Sequence, residues 1–317
     1  MIDPLAEVES LLSRHRFSPV TVVDWQRLEP WAVARARLSG LRRPERVIVK
    51  WVRPHPDQTR PESWRFRTEL AALRFLSEDL SLNLAPRAIA ADVASGLVVL
   101  EDLAPRTALD QLLRADGAAA HADRLVAFAR ARGELNAATA GMAETYYARR
   151  TALGPVDPAA DRVGRWAGHR EEGRRQAAGV GAPITGRAER ELAAALEELA
   201  EPGPFLTLSN GDPEANNVLV HASGAPDPRL IDFEFAGYTH ALNDAVCLHV
   251  PGPAWLSVGD AITGGLAAAR TAEAHRPLPH LAGWARRMAD LLRRRWPDTD
   301  LNLTDQTTFP PYAARRS

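Results

Sequence analysis

Eight residues, Asn210-Gly211-Asp212-Pro213-Glu214-Ala215-Asn216-Asn217, join two short apolar runs and set a carboxylate, Asp212, five residues ahead of a carboxamide, Asn217. Fifteen residues after Asn217, Leu230-Ile231-Asp232-Phe233-Glu234 places a second carboxylate at the end of an apolar strand signal. A hairpin of the flanking strands would bring Asp212, Asn217 and Asp232 to one end. Such a set suits phosphoryl transfer, which needs oxygen ligands to hold a metal ion on the phosphates and a base beside the acceptor hydroxyl. Mg2+ takes one or two carboxylate or amide oxygens together with phosphate oxygens and water, and Asp232 with Asn217 can supply the protein's share.

A phosphate chain also needs a cation. Of 39 Lys and Arg residues only Lys50 is a lysine. Heavy use of Ala, Arg, Gly and Pro suggests a GC-rich coding sequence that drives Lys to Arg wherever charge alone is wanted. A lysine that persists there points to a need for a compact ammonium on a flexible stem, which a planar guanidinium cannot imitate.

The elements that must carry these groups can be read from periodicity. Residues 1–17 read as an amphipathic helix with Leu5, Val8, Leu11 and Leu12 on one face. Strand signals follow at 21–28, 33–38 and 46–52, with Pro30 and then Gly40 and Pro44 as punctuation. The run Val47-Ile48-Val49-Lys50-Trp51-Val52 is dense enough in β-branched residues for a central strand. A helix is expected over 62–79 from the spacing of Phe66, Leu70, Leu73 and Leu76, then strands at 88–93 and 97–103. From Thr107 the pattern turns helical: a long helix at 123–139, and a helical stretch at 144–201 broken near Gly154-Pro155 and 179–183. Short strands at 205–208, 218–220 and 230–231 form one small hairpin, and helix resumes to about Trp296. Five strands and a helix followed by a mainly helical body is an α+β arrangement in two lobes.

The bulk numbers bound the rest. With 317 residues, 45% hydrophobic and 25% charged, the chain can bury one or two substantial cores. A net charge of −1 calls for neither nucleic acid nor an anionic membrane as partner. A single cysteine, Cys247, in the apolar run 245–250, can form no internal disulfide. With no signal-peptide pattern and no apolar run near membrane length, a soluble cytoplasmic protein is expected.

Together these residues carry a resemblance. Asp212 with Asn217 resembles the catalytic loop of kinases, an Asp with Asn at the fifth position after it. Ile231-Asp232-Phe233-Glu234 resembles the metal-binding segment of the aminoglycoside phosphotransferase and choline kinase superfamily, where Asp-Phe-Glu is usual. Val49-Lys50 is similar to that fold's phosphate-anchoring lysine, and Glu69 to its ion-pair partner. Val99-Leu100-Glu101-Asp102-Leu103 resembles the interlobe hinge, whose backbone would receive the adenine. Similarity of order and spacing spans about residues 20 to 250.

The resemblance implies a two-lobed protein-kinase-like fold. Residues 1–103 would form the nucleotide-binding lobe, with a five-stranded antiparallel sheet and one main helix, and 99–105 the hinge. Residues 104–317 would form the helical lobe with catalytic loop 210–217, metal segment 230–234 and acceptor-binding helices. It implies an ATP- and Mg2+-dependent O-phosphotransferase, with GTP left open as the nucleotide, acting on a small hydroxylated molecule: an aminoglycoside or other antibiotic, or a metabolite. Asp212 would accept or orient the hydroxyl proton, Asn217 and Asp232 would ligate Mg2+, and Lys50 would contact the α- and β-phosphates. Two departures stand out: Asn210 occupies a position where the family usually has His, and Leu28-Glu29-Pro30-Trp31-Ala32 lacks the glycines of a phosphate-covering loop.

Plainer readings stand beside these. Asp212 and Asn217 are also turn formers, and Glu69 shares its helix with Glu62 and Glu78, ordinary surface residues. Glu234 either assists the metal or solvates a strand end, and Asp244 is read as a structural brace for the catalytic loop. At the level of function the alternative is a catalytically silent nucleotide-binding or regulatory relative. A protein kinase fits less well, since no activation segment follows Asp232.

Overall fold

The computed structural model describes residues 4–28, 32–40, 45–52, 61–117, 119–179 and 186–245. Residues 29–31 of the glycine-free connection, Cys247 and the helices expected as far as Trp296 lie outside the described residues.

The protein is α+β, with a five-stranded antiparallel sheet followed by a mainly helical part. Helix α1 (Pro4–Arg16) precedes β1 (Thr21–Arg27), β2 (Val33–Ser39) and β3 (Glu45–Trp51). Helix α2 (Pro61–Arg74) continues as a wider π turn, Phe75–Asp79, and is followed by β4 (Ala88–Asp92) and β5 (Leu97–Glu101). The sheet order is β1-β2-β3-β5-β4, which makes the Lys50 strand central. Pro61 at the first helical position and Glu62 beside the positive end of the helix favour starting α2 there.

Two apolar cores clamp the sheet. Val8, Leu11 and Leu12 of α1 pack on Ala36, Leu38, Val47, Val49 and Val99. On the other face Val98 and Leu100 join a larger core of Phe66, Leu70 and Leu73 from α2 with Phe128 and Leu135 of the helical part. Alternation along β3 therefore sends Val47 and Val49 to the α1 side and Ile48 and Lys50 to the α2 side.

In the remaining described part, β6 (Thr107–Ala108) leads into α3 (Leu109–Asp116), α4 (Ala122–Thr139), α5 (Ala143–Leu153), α6 (Arg165–Gly179) and α7 (Gly186–Ala200). Then come β7 (Leu206–Ser209), β8 (Val218–Val220), β9 (Arg229–Leu230) and β10 (Gly237–His240). Three expectations are corrected here. Residues 237–240, expected within returning helix, are strand and pair with β7 in the register Gly237 to Ser209 through His240 to Leu206. Thr107-Ala108, expected at the start of helical pattern, pairs with β8. The single hairpin is accordingly two small sheets, β10-β7 and β6-β8-β9. A run of two to four residues carries little periodicity, and its pairing is decided by partners far along the chain. The expected closeness of Asn217 and Asp232 does not depend on this. Val218 opposes Leu230 in the β8–β9 pair, which sets the residues flanking the two strands side by side.

Candidate active site

Lys50 reaches from β3 across the α2 face of the sheet. Its Nζ donates to Glu69 Oε1 at 2.7 Å and to Asp232 Oδ1 at 3.0 Å. Glu69, on the inward side of α2 next to Leu70, is buried, while Asp232 is 37% exposed at its side chain. Burial pulls the Lys50 ammonium down, but the two carboxylates outweigh it and hold the group above its ordinary value. Burial pushes the Glu69 carboxyl up against the pull of Lys50; it also accepts from the Phe233 backbone amide. Helix α2 is thus tied both to the central strand and to the segment around Asp232. The surface-residue reading of Glu69 does not hold.

Asp232 itself has φ 62°, the left-handed region that non-glycine residues seldom occupy. Its neighbours hold it there: the Ile231 amide donates to Asn217 O at 2.9 Å, and the Ala236 amide to Phe233 O at 3.0 Å.

The loop carrying Asp212 is built around Asn210, which is fully buried. Asn210 Oδ1 accepts from Arg132 Nη1 at 2.7 Å and from the Asp212 amide at 3.3 Å. Its Nδ2 donates to Asp212 O at 3.2 Å and to Ile231 O at 3.1 Å. One side chain thereby joins the Asp212 loop to the residue preceding Asp232, using the acceptor and donor ends of an amide together. Asn217 Nδ2 adds a bond to Asp212 O at 3.0 Å, and Asn217 Oδ1 accepts from Asn216 Nδ2 at 3.1 Å. Below the loop, Ser209 Oγ donates to Asp244 Oδ1 at 2.5 Å and accepts from the Gly211 amide at 2.9 Å. Gly211 has φ 79°, and a Cβ there would sit 2.1 Å from Phe235 O, so only glycine fits.

Arg132 was not singled out from sequence. It lies on α4 four residues after Phe128 and three before Leu135, both buried, and is itself 2% exposed. Helix α4 buries two arginines, Arg124 and Arg132, so an arginine on an apolar helical stripe would not by itself have picked out Arg132. Its Nη1 also stands 3.9 Å from Asp244 Oδ2. Burial pushes the Asp244 carboxyl up, and Arg132 and Ser209 partly counter this.

At the positions expected to form the hinge, Glu101 turns to Arg87 at 3.3 Å, and Asp102 pairs with Arg35 of β2, Nε to Oδ2 at 2.9 Å. Leu103 is buried, and its carbonyl accepts from the Arg106 amide and Nη1, each at 3.2 Å. A cavity of about 460 Å³ lined by Arg16, Glu45, Arg87, Glu101 and Asp102 opens beside the end of α1. It shares neither Lys50 nor Asp232. Glu234 pairs with Arg65 of α2 at 3.8 Å, and Arg65 lies over the Phe235 ring at 4.5 Å. Burial, then the neighbouring Asp232, hold Glu234 above the usual carboxylate range.

Among the described residues no group of three or more His, Cys, Asp and Glu could hold a metal ion. One carboxylate and one amide oxygen, Asp232 and Asn217, match what Mg2+ takes from a protein when phosphates complete its shell. Among the described residues, no helix is long and apolar enough to cross a membrane.

No protein-family model matches the chain, and no curated protein matches it. Solved structures do. The chain is similar to the choline kinase LicA from Streptococcus pneumoniae, at 13% identity over 97% of this chain and 95% of that one, with a TM-score of 0.48. It is similar to a mutant form of aminoglycoside 2'-phosphotransferase-IIIa in its GDP complex, at 15% identity over 93% of each chain, TM-score 0.45. It is similar to a Plasmodium vivax ethanolamine kinase at 11% identity, over 82% of this chain and 67% of that one, TM-score 0.43.

Proposed function

We propose that this chain transfers the terminal phosphoryl group of a magnesium-bound nucleoside triphosphate to a hydroxyl of a small molecule. The observation that carries this reading is one connected cluster. Lys50 joins Glu69 and Asp232, and Asn210 joins the Asp212 loop to Ile231, next to Asp232.

In this reading Asp212 takes the proton of the acceptor hydroxyl as its oxygen bonds to phosphorus. The bond from phosphorus to the bridging oxygen breaks, and nucleoside diphosphate leaves. Lys50 moves part of its charge from Asp232 to the α- and β-phosphates. Asn217 Oδ1 and Asp232 would hold Mg2+, which when bound neutralises phosphate charge. Positioning and charge supply most of such catalysis, with general-base help worth roughly 10²–10⁴-fold. The acceptor class that fits is a hydroxylated antibiotic, an aminoglycoside or another natural product, or a hydroxylated metabolite.

The test is magnesium-dependent consumption of ATP and GTP with a panel of hydroxylated compounds, read by mass for an added phosphoryl group. Turnover that appears with one acceptor and vanishes with EDTA supports the reading. Nucleotide binding without transfer to any compound favours the catalytically silent relative instead.

A further inference from the structure

The Lys50 ammonium sits between carboxylates drawn from distant parts of the chain. It stands 2.7 Å from Glu69 Oε1 and 3.0 Å from Asp232 Oδ1, so one positive charge bridges the two oxygens. Glu234 lies within electrostatic reach of Lys50, Glu69 and Asp232, and its own ion pair is with Arg65 at 3.8 Å. Three carboxylates therefore meet two cations, and among the described residues the cation paired with Asp232 is Lys50. This pair is open to solvent, with the Lys50 side chain 23% exposed and that of Asp232 37%. A dissolved ion can reach it.

An ammonium and a hydrated divalent ion compete for the same carboxylate. At a few ångströms a unit positive charge repels a divalent cation twice as strongly as it repels another unit charge. Mg2+ also gives up its water reluctantly, and one or two protein oxygens do not hold it without phosphate oxygens beside them. Asp232 with Lys50 in place is thus a poor site for the free ion. Phosphates reverse the balance, because they attract the ammonium and supply the missing oxygens. The flexible four-carbon stem of lysine lets the charge shift toward them.

Resting on the phosphotransferase reading, we propose that Lys50 is an internal counter-ion that keeps free divalent metal off Asp232 until nucleotide phosphates draw the ammonium away. Metal then enters together with the nucleotide, and Lys50 sets that order besides holding phosphate.

The test reads free Mn2+ by electron paramagnetic resonance in the full chain, alone and with ADP or GDP, against each nucleotide without protein. Wild type is expected to leave Mn2+ free when alone and to take it up with a nucleotide. Lys50→Met, which leaves the carboxylates without their bridge, binds Mn2+ in the absence of nucleotide about tenfold or more tightly than wild type. Lys50→Gln does the same. Adding Asp232→Asn to Lys50→Met removes the gain. Lys50→Arg keeps a cation beside Asp232 and matches wild type in nucleotide-free metal binding, although it does not restore nucleotide affinity. A role confined to phosphate contact or to stability predicts no gain of metal binding in any variant. Wild type that binds Mn2+ as tightly alone as with nucleotide overturns the inference, whether or not the variants fold. So does an absence of gain in Lys50→Met and Lys50→Gln, and either result leaves the phosphotransferase reading standing. Wild type that takes up Mn2+ with neither ADP nor GDP sinks both.

Discussion

Replacing Arg132 by methionine removes a buried cation while keeping a side chain of similar length. In the native protein Arg132 Nη1 donates to Asn210 Oδ1 at 2.7 Å and faces Asp244 Oδ2 at 3.9 Å. Arg132 and Asp244 are each 2% exposed. The substitution leaves the Asp244 carboxylate buried without its guanidinium and takes one of two donors from Asn210 Oδ1. Breaking a buried pair in this way costs about 3–5 kcal/mol. The loss has a sign with pH. Burial already raises the Asp244 pKa, and Arg132 opposes that, so the variant's carboxyl is raised further. A raised carboxyl penalises the folded state above its folded pKa and not below the unfolded value of about 3.9. The deficit of Arg132→Met is therefore largest near neutral pH and shrinks on acidification toward the unfolded value. Urea unfolding of both proteins at pH 7.5 and pH 5 reads this directly. The expected difference is about 3 kcal/mol or more at pH 7.5 and smaller at pH 5. Adding Asp244→Asn to Arg132→Met should abolish that pH dependence. A deficit below about 0.5 kcal/mol, the usual size for a surface change, or one that grows on acidification, would refute the reasoning.

Three further outcomes follow from the same cluster. Asp212→Asn keeps shape and removes basicity, so nucleotide affinity stays within about threefold while turnover drops roughly 10²–10⁴-fold; unchanged turnover in a coupled assay contradicts the assignment. Lys50→Met leaves Glu69 and Asp232 facing each other without the cation, and nucleotide diphosphate affinity should fall about tenfold or more by titration calorimetry, with Lys50→Arg failing to restore it. Gly211→Ala combines a left-handed φ with a Cβ that meets Phe235 O, so thermal unfolding should register a loss of about 2 kcal/mol or more; a neutral result would mean the loop is not held as described.

Much of this protein was legible before any coordinates, and for a local reason. The strands β1 to β5, the helix α2 and the lone lysine on the central strand declare themselves through periods of two and 3.6 residues and through residue chemistry, which neighbours in sequence determine. The nearness of Asn217 to Asp232 was equally readable, because the hairpin that sets it is short. What tertiary structure alone decided are the meetings of distant residues. Glu69 became the partner of Lys50 because α2 packs its inward face against the sheet. Strand β10 formed because β7 needed a mate. Asn210 reaches Arg132 from 78 positions away, and Arg35 reaches Asp102 from 67. A buried guanidinium or carboxamide leaves almost no local trace, since its partners are chosen by how the chain closes on itself and not by the residues beside it.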